Sequence, residues 1–272
     1  MDWLRRAVNR PAARTSESGE KAMGQLDGKV AVVTGASEGI GFASALRFAE
    51  EGAYVYLTGR RKPELDEAVV RIGAARASGV QGDVTDVADL ERLFATIGAD
   101  GRRIDVLFAN AGGAPMRPLA EVTEDDYEHA TRLNLRSAVF TVQKALPLLN
   151  DHASVILCSS TMASRGGVGI GLYAAAKAGV RSLTRNWAIE LKERGIRVNA
   201  LAPHTTDTPM LRGNAPAGMT GDEFITFLAS GVPLGRVADA AEQAAAALFL
   251  ASDQSSYITG SELVVDGGVN QI

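Results

Sequence analysis

Thr34-Gly35-Ala36-Ser37-Glu38-Gly39-Ile40-Gly41 joins a short apolar run, Lys29–Val33, to a helix predicted over Gly39–Glu51. Gly35 permits the sharp turn from strand to helix. Gly39 and Gly41 let the backbone approach a pyrophosphate and let the helix pack on the strand. Free N–H groups at a helix start, with the helix dipole behind them, favour an anion there. Ser37, Glu38 and Ile40 share the loop with the glycines. A glycine turn alone also fits an ordinary corner. The strand before it and the helix after it favour the phosphate reading.

Outward from this turn, strand and helix patterns alternate. Further strands are predicted over Ala53–Leu57, Ala77–Gln81, Ile104–Ala109, Ser154–Cys158, Arg197–Leu201 and Glu262–Val265. Helices are predicted over Pro63–Gly73, Val87–Ile97, Glu124–Leu149, Leu172–Glu193 and Ala240–Ala251. The strands are continuously apolar, as in a parallel sheet covered on both faces. The expected fold is α/β: a single-domain, Rossmann-type, doubly wound parallel sheet with helices on both faces. One stretch, His204–Ser230, has a weak pattern with prolines, glycines and a short helical piece. It is expected to form a lid.

Composition narrows the function. The 272 residues are 46% apolar and 22% charged, enough for one large core. With 28 basic against 32 acidic residues, nothing marks a polyanion binder, so nucleic acid is not an expected partner. One cysteine excludes an intrachain disulfide and a multi-cysteine zinc site. The three histidines, His129, His152 and His204, lack metal-type spacing, so no metal is expected. No run of about 18 apolar residues offers a membrane span. The expected location is cytoplasmic. Residues 1–22 are Arg-rich and then Ser/Glu-rich, without the apolar core of a secretory signal. They read as a flexible N-terminal extension, with the folded domain over 23–272.

Further motifs follow in order along the chain: Gly82-Asp83-Val84, Asn110-Ala111-Gly112, Asn134, then Ser160, Tyr173 and Lys177. Together with the glycine turn they resemble the short-chain dehydrogenase/reductase family, whose signature reads TGxxxGxG, then NAG, then Ser-x12-Tyr-x3-Lys. The resemblance spans about residues 26–272. It implies that Asp83 and Val84 contact adenine, and that Asn110, Ala111 and Gly112 border the cofactor. It implies that Pro203, Thr206 and Thr208 border the nicotinamide carboxamide. Family members read Pro-Gly where this chain has Pro203-His204. A local role in the loop is expected for His204, with a catalytic role as the alternative.

The end of the second strand bears on cofactor choice. An acid there would bind the ribose 2′-hydroxyl of NAD(H). This chain has Thr58-Gly59-Arg60-Arg61, with Gly59 where the family alignment places that acid. A guanidinium at Arg60 or Arg61 suits a 2′-phosphate. Glu38 opposes this, since a carboxylate repels phosphate. The balance favours NADP(H), with NAD(H) as the alternative.

Tyr173 and Lys177 are four residues apart on one predicted helix, hence on one face. A neighbouring ammonium favours the phenolate form, which lets a phenol exchange a proton near neutral pH. By resemblance, Tyr173 is the general acid in reduction and the base in oxidation. Lys177 also binds the nicotinamide ribose. Ser160 hydrogen-bonds the substrate carbonyl, and Asn134 holds a water in a proton relay. Ser159 competes with Ser160, and the thirteen-residue step to Tyr173 in the family motif favours Ser160. His129 and His152 are expected to be exposed, and Cys158 to be a packed thiol.

The expected activity interconverts a ketone and a secondary alcohol by hydride transfer. The alternatives are a 3-oxoacyl-thioester reductase, an NAD-dependent sugar or alcohol dehydrogenase, and a non-catalytic nucleotide-binding regulator. The expected pocket walls, Gly112–Met116, Met162–Gly171 and His204–Ser230, are mostly small or apolar, with Arg117, Arg165 and Arg212 nearby in sequence. They suit a neutral, apolar carbonyl substrate. The family resemblance implies a homotetramer.

Overall fold

The computed structural model describes residues 23–113 and 116–272. The extension expected over residues 1–22 lies outside them. Strand β1 (Val30–Thr34) enters the glycine turn, and helix α1 (Gly39–Glu50) leaves it. Then follow β2 (Tyr54–Gly59), α2 (Lys62–Ile72), β3 (Ala77–Gln81), α3 (Val87–Ala99) and β4 (Ile104–Ala109). The second half holds α4 (Glu124–Thr131), α5 (Ser137–Ala145), β5 (Leu149–Cys158), α6 (Gly171–Glu190) and β6 (Arg197–Pro203). After β6 come β7 (Thr206–Asp207), α7 (Pro209–Gly213), α8 (Gly221–Ala229), β8 (Ala238–Asp239), α9 (Ala240–Ala251) and β9 (Glu262–Val265).

The main sheet has the order β3-β2-β1-β4-β5-β6-β9, and every pair in it is parallel. Neighbours β1 and β4 diverge in chain order, which opens a crevice at their carboxyl ends. β7 and β8 form a separate two-stranded ladder.

Alternate residues of each strand feed opposite layers. Ala31 and Val33 face a core with Phe48 of α1 and Leu248 of α9, while Val32 faces one with Leu93 of α3 and Val142 of α5. Both faces of β1 are dry, which is why it reads as an unbroken apolar run. No helix among the described residues is long and apolar enough to cross a membrane.

Three predicted strands, Ala77–Gln81, Ile104–Ala109 and Glu262–Val265, have the observed bounds, as does the helix Ala240–Ala251. The helix expected over Glu124–Leu149 does not run through. It is interrupted by a π turn at Arg132–Arg136 and ends at Ala145. Pro147 follows two residues later and cannot supply the N–H a continuing helix needs. Leu149 instead opens β5, pairing with Ile104 before a register shift. The weakly patterned stretch after β6 contains two capped helices. Thr208 caps α7, and a reciprocal Thr220–Glu223 box caps α8.

Phe48 is fully buried between the sheet and α9. Phe48→Ala should lower unfolding free energy by about 3–5 kcal/mol in urea denaturation. Phe227→Ala, at a side chain 63% exposed, should change it by about 0.5 kcal/mol or less.

Candidate active site

The carboxyl ends of the strands open on one cleft of about 760 Å³. It runs from Arg60, Arg61 and Asp83 at one end, past the glycine turn, to Ser160, Tyr173 and Lys177 at the other. All the residues predicted to bind cofactor or to act in catalysis line this cleft except Asn134.

The glycine turn is shaped by contacts that leave no room for a side chain. Gly35 has φ 62°, a left-handed conformation that favours glycine. A Cβ on Gly41 would lie 2.2 Å from the Gly35 carbonyl oxygen and 2.6 Å from Asn110 Nδ2. Thr34 and Asn110 hold the turn in place. The Thr34 hydroxyl accepts from the backbone N–H groups of Asn110 and Ala111 at 3.0 and 3.1 Å. Asn110 Nδ2 donates to the Thr34 carbonyl at 3.0 Å. Its amide thus braces the turn. Glu38 is the N-cap of α1 but makes no side-chain capping bond, so N–H groups of the first turn remain available to an anion.

Glu38 instead pairs with Arg61, Oε2 to Nη2, at 2.8 Å. The sequence suggests a carboxylate repelling phosphate, but in the fold its charge is offset by a cation. Arg61 also meets Glu64 at 3.3 Å. Arg60 is less engaged, 4.0 Å from Asp83 and about two-thirds exposed. No acid stands at the end of β2: Gly59 lies against Ser37. Asp83 accepts from the Thr85 N–H at 2.9 Å, which fixes the turn after β3.

At the chemical end, Tyr173 and Lys177 project from one face of α6. Lys177 is 2% exposed, and its Nζ donates to the Cys158 carbonyl at 2.7 Å and lies 5.6 Å from the Tyr173 ring centre. Ser160 Oγ accepts from the Met162 N–H at 3.2 Å, which leaves its own proton to donate. Ser159 uses its hydroxyl on Glu262, at 2.8 Å. That separates the two adjacent serines by what their hydroxyls already do. Burial pushes the Cys158 thiol up, with the Lys177 ammonium partly opposing, so it stays a thiol near neutral pH.

Asn134 sits in the π turn, 1% exposed. Its Oδ1 accepts from the Gly113 N–H at 3.0 Å, and its Nδ2 donates to the Gly113 and Ala130 carbonyls at 2.8 and 2.9 Å. A Cβ on Gly112 would lie 3.0 Å from both Asn134 Oδ1 and Lys177 Nζ. Gly112 therefore lies beside the lysine and the asparagine.

Thr206 and Thr208 both reach the cleft, but their hydroxyls are engaged. Thr206 Oγ1 donates to the His204 carbonyl at 3.1 Å and accepts from Gln243 at 3.2 Å, while Thr208 caps α7. Pro203 ends β6 at the cleft wall. His204 also lines the cleft, and burial beside Arg165 depresses its imidazolium, with Asp266 opposing, so the ring is neutral at pH 7. His129 and His152 are exposed.

Much of the remaining lining is apolar: Met116, Leu133, Met162, Ile170, Met210, Leu211, Phe224, Phe227 and Leu228. Leu133 was not visible in the sequence as a wall residue, because a continuous helix gives no sign of the π turn that presents it. The three arginines near the walls are bound elsewhere. Arg117 pairs with Asp126, Arg212 with Asp207 and Asp222, and Arg165 donates to the Val269 carbonyl.

A family model described as Enoyl-(Acyl carrier protein) reductase matches residues 35–270. Oxidoreductase asL5 of Sarocladium schorii is 40% identical, over 92% of this chain and 99% of its own. The chain belongs to the short-chain dehydrogenase/reductase family. A 3-oxoacyl-[acyl-carrier-protein] reductase FabG of Thermotoga maritima is 36% identical over 90% of this chain and 99% of its own. Among solved structures, a short-chain dehydrogenase/reductase from Serratia marcescens BCRC 10948 superposes with a TM-score of 0.83 at 33% identity, over 90% of this chain and 99% of that one. This short-chain dehydrogenase/reductase is thus an oxidoreductase of a family that uses NAD(P)(H). The glycine turn, the uncapped helix start and the length of the cleft fit a dinucleotide.

Gly41→Ala should displace the turn and weaken nicotinamide-nucleotide binding by about tenfold or more. A fluorescence titration with reduced cofactor measures it.

Proposed function

We propose that this enzyme uses NADP(H) to interconvert a neutral, largely apolar ketone and its secondary alcohol, with Tyr173 as general acid/base. The observation that carries the reading is the meeting of Tyr173, Lys177 and Ser160 at the far end of the cleft that begins at the glycine turn. When bound, the nicotinamide ring supplies or accepts the hydride. The chain's own residues do the rest. Ser160 Oγ–H donates to the carbonyl oxygen and holds it near the Tyr173 hydroxyl. Tyr173 gives that oxygen its proton in reduction and removes it in oxidation. The buried Lys177 ammonium stabilises the phenolate that forms. Asn134 holds the Gly113 backbone and so sets the shape of the wall beside Lys177; a water relay through Asn134 would use this same corner.

The 2′-phosphate preference rests on the absence of an acid at Gly59 and on Arg60 beside the cleft. The paired Glu38 weighs little against it. The apolar wall, with its neighbouring arginines tied to carboxylates or carbonyls, supports a substrate without fixed charge. A 3-oxoacyl thioester is the second reading, favoured by the likeness to the Thermotoga maritima reductase. The protein acts in the cytoplasm as a homotetramer; sedimentation velocity giving a monomer would exclude that assembly.

Absorbance decay of NADPH with a panel of ketones tests the activity. Nucleotide binding with no turnover across the panel would mark a regulator instead. Tyr173→Phe should lower kcat by about 10²–10⁴-fold, while nucleotide titrations still saturate. Arg60→Ala should raise KM for NADPH far more than for NADH. Equal changes in the two constants would sink the NADP(H) assignment.

A further inference from the structure

His204 is held at three points in the loop after β6. Its backbone N–H donates to the Val265 carbonyl at 3.2 Å, its carbonyl accepts from Thr206 Oγ1 at 3.1 Å, and its ring Nδ1 lies 2.7 Å from Thr161 Oγ1. Thr161 directly follows Ser160 and is 1% exposed. Among the described residues its hydroxyl has no other hydrogen-bond partner. A buried hydroxyl needs an acceptor for its proton. Here that acceptor is Nδ1. The neutral ring therefore carries its own proton on Nε2. Nε2 has no partner among the described residues and is not fully buried. The result is an oriented, unpaired N–H donor on a residue that lines the cleft.

Ser160 and Tyr173 already serve the reacting carbonyl oxygen, so another donor beside them addresses another atom. We propose that His204 is a specificity-determining residue: its Nε2–H donates to a second, neutral oxygen of the substrate, a few bonds from the ketone. Thr161, which anchors the ring, is the chain neighbour of Ser160, so the ring and the Ser160 hydroxyl are tied to one short segment. The ring is uncharged and Arg165 beside it is turned to the Val269 carbonyl, so the preferred oxygen belongs to a ketone, ester or hydroxyl. A site with a buried donor of this kind discriminates against an analogue lacking the acceptor. The inference rests on the ketone-reductase reading above.

Two ketones of equal length test it: ethyl 3-oxohexanoate, and 4-nonanone, which lacks the ester oxygens. The readout is the ratio of their kcat/KM values, compared between wild type and variants so that intrinsic reactivity cancels. His204→Ala should lower the ester-to-ketone ratio by roughly fivefold or more, the worth of one neutral hydrogen bond. His204→Gln, which keeps an N–H donor, should recover most of it. Thr161→Val leaves the ring but frees its tautomer, and should give an intermediate ratio. An unchanged ratio in His204→Ala overturns the proposal. So does a change confined to KM for the nicotinamide cofactor, which would assign the ring to the cofactor. Turnover of neither ketone by the wild type overturns the reductase reading, and this inference with it.

Discussion

One hydroxyl ties the two lips of the crevice together. Thr34 ends β1, and its Oγ1 accepts from two consecutive N–H groups at the end of β4. β1 and β4 are neighbours whose chains leave in opposite directions, and their ladder ends at Val33 and Phe108, just before this stitch. Asn110 completes the stitch by donating back to Thr34 and Gly35. From there the backbone runs to Gly112, where Lys177 and Asn134 meet. The glycine turn and the Tyr173–Lys177 end of the cleft are thus referenced to the same few hydrogen bonds. An error in that stitch would reach both ends of the cleft, because reacting groups must be placed within fractions of an ångström.

The interruption of the helix after β4 works in the same direction. A regular helix from Glu124 onward would keep each carbonyl bonded four residues on. The π turn at Arg132–Arg136 breaks that repeat, and Asn134 Nδ2 takes the Ala130 carbonyl. The remainder of the amide is then free to hold Gly113 from both its N–H and its carbonyl. Such insertions are uncommon and concentrate at functional sites. Here the insertion converts a helix interior into a backbone clamp.

The parallel sheet was legible because its inner strands β1, β2, β4 and β6 are buried on both faces and read as largely apolar runs. The glycine turn was legible because steric exclusion at Gly41 leaves no alternative residue. The Tyr173–Lys177 face was legible because helical spacing alone fixes it. Other features depend on partners far away in the chain. The extra residues at the start of β5 follow from pairing with Ile104. The π turn sets Asn134 against Gly113, 21 residues earlier. The inward bonds of Thr206 depend on Gln243, 37 residues later. The anchoring of His204 by Thr161 spans 43 residues. No local pattern carries such information, since the same side chains would serve equally well facing solvent.

The ion pair between Glu38 and Arg61 joins the glycine turn to the end of β2 across the mouth that would receive an adenine ribose. Arg61 is half exposed and Glu38 one-third exposed, so the pair adds little to stability. Its consequence is evolutionary. A cation placed at position 38 would face Arg61 instead of pairing with it, and loss of Arg61 would release the Glu38 carboxylate toward the nucleotide. Neither position can drift without changing what the other does. Substitutions here combine non-additively, as expected for residues in contact.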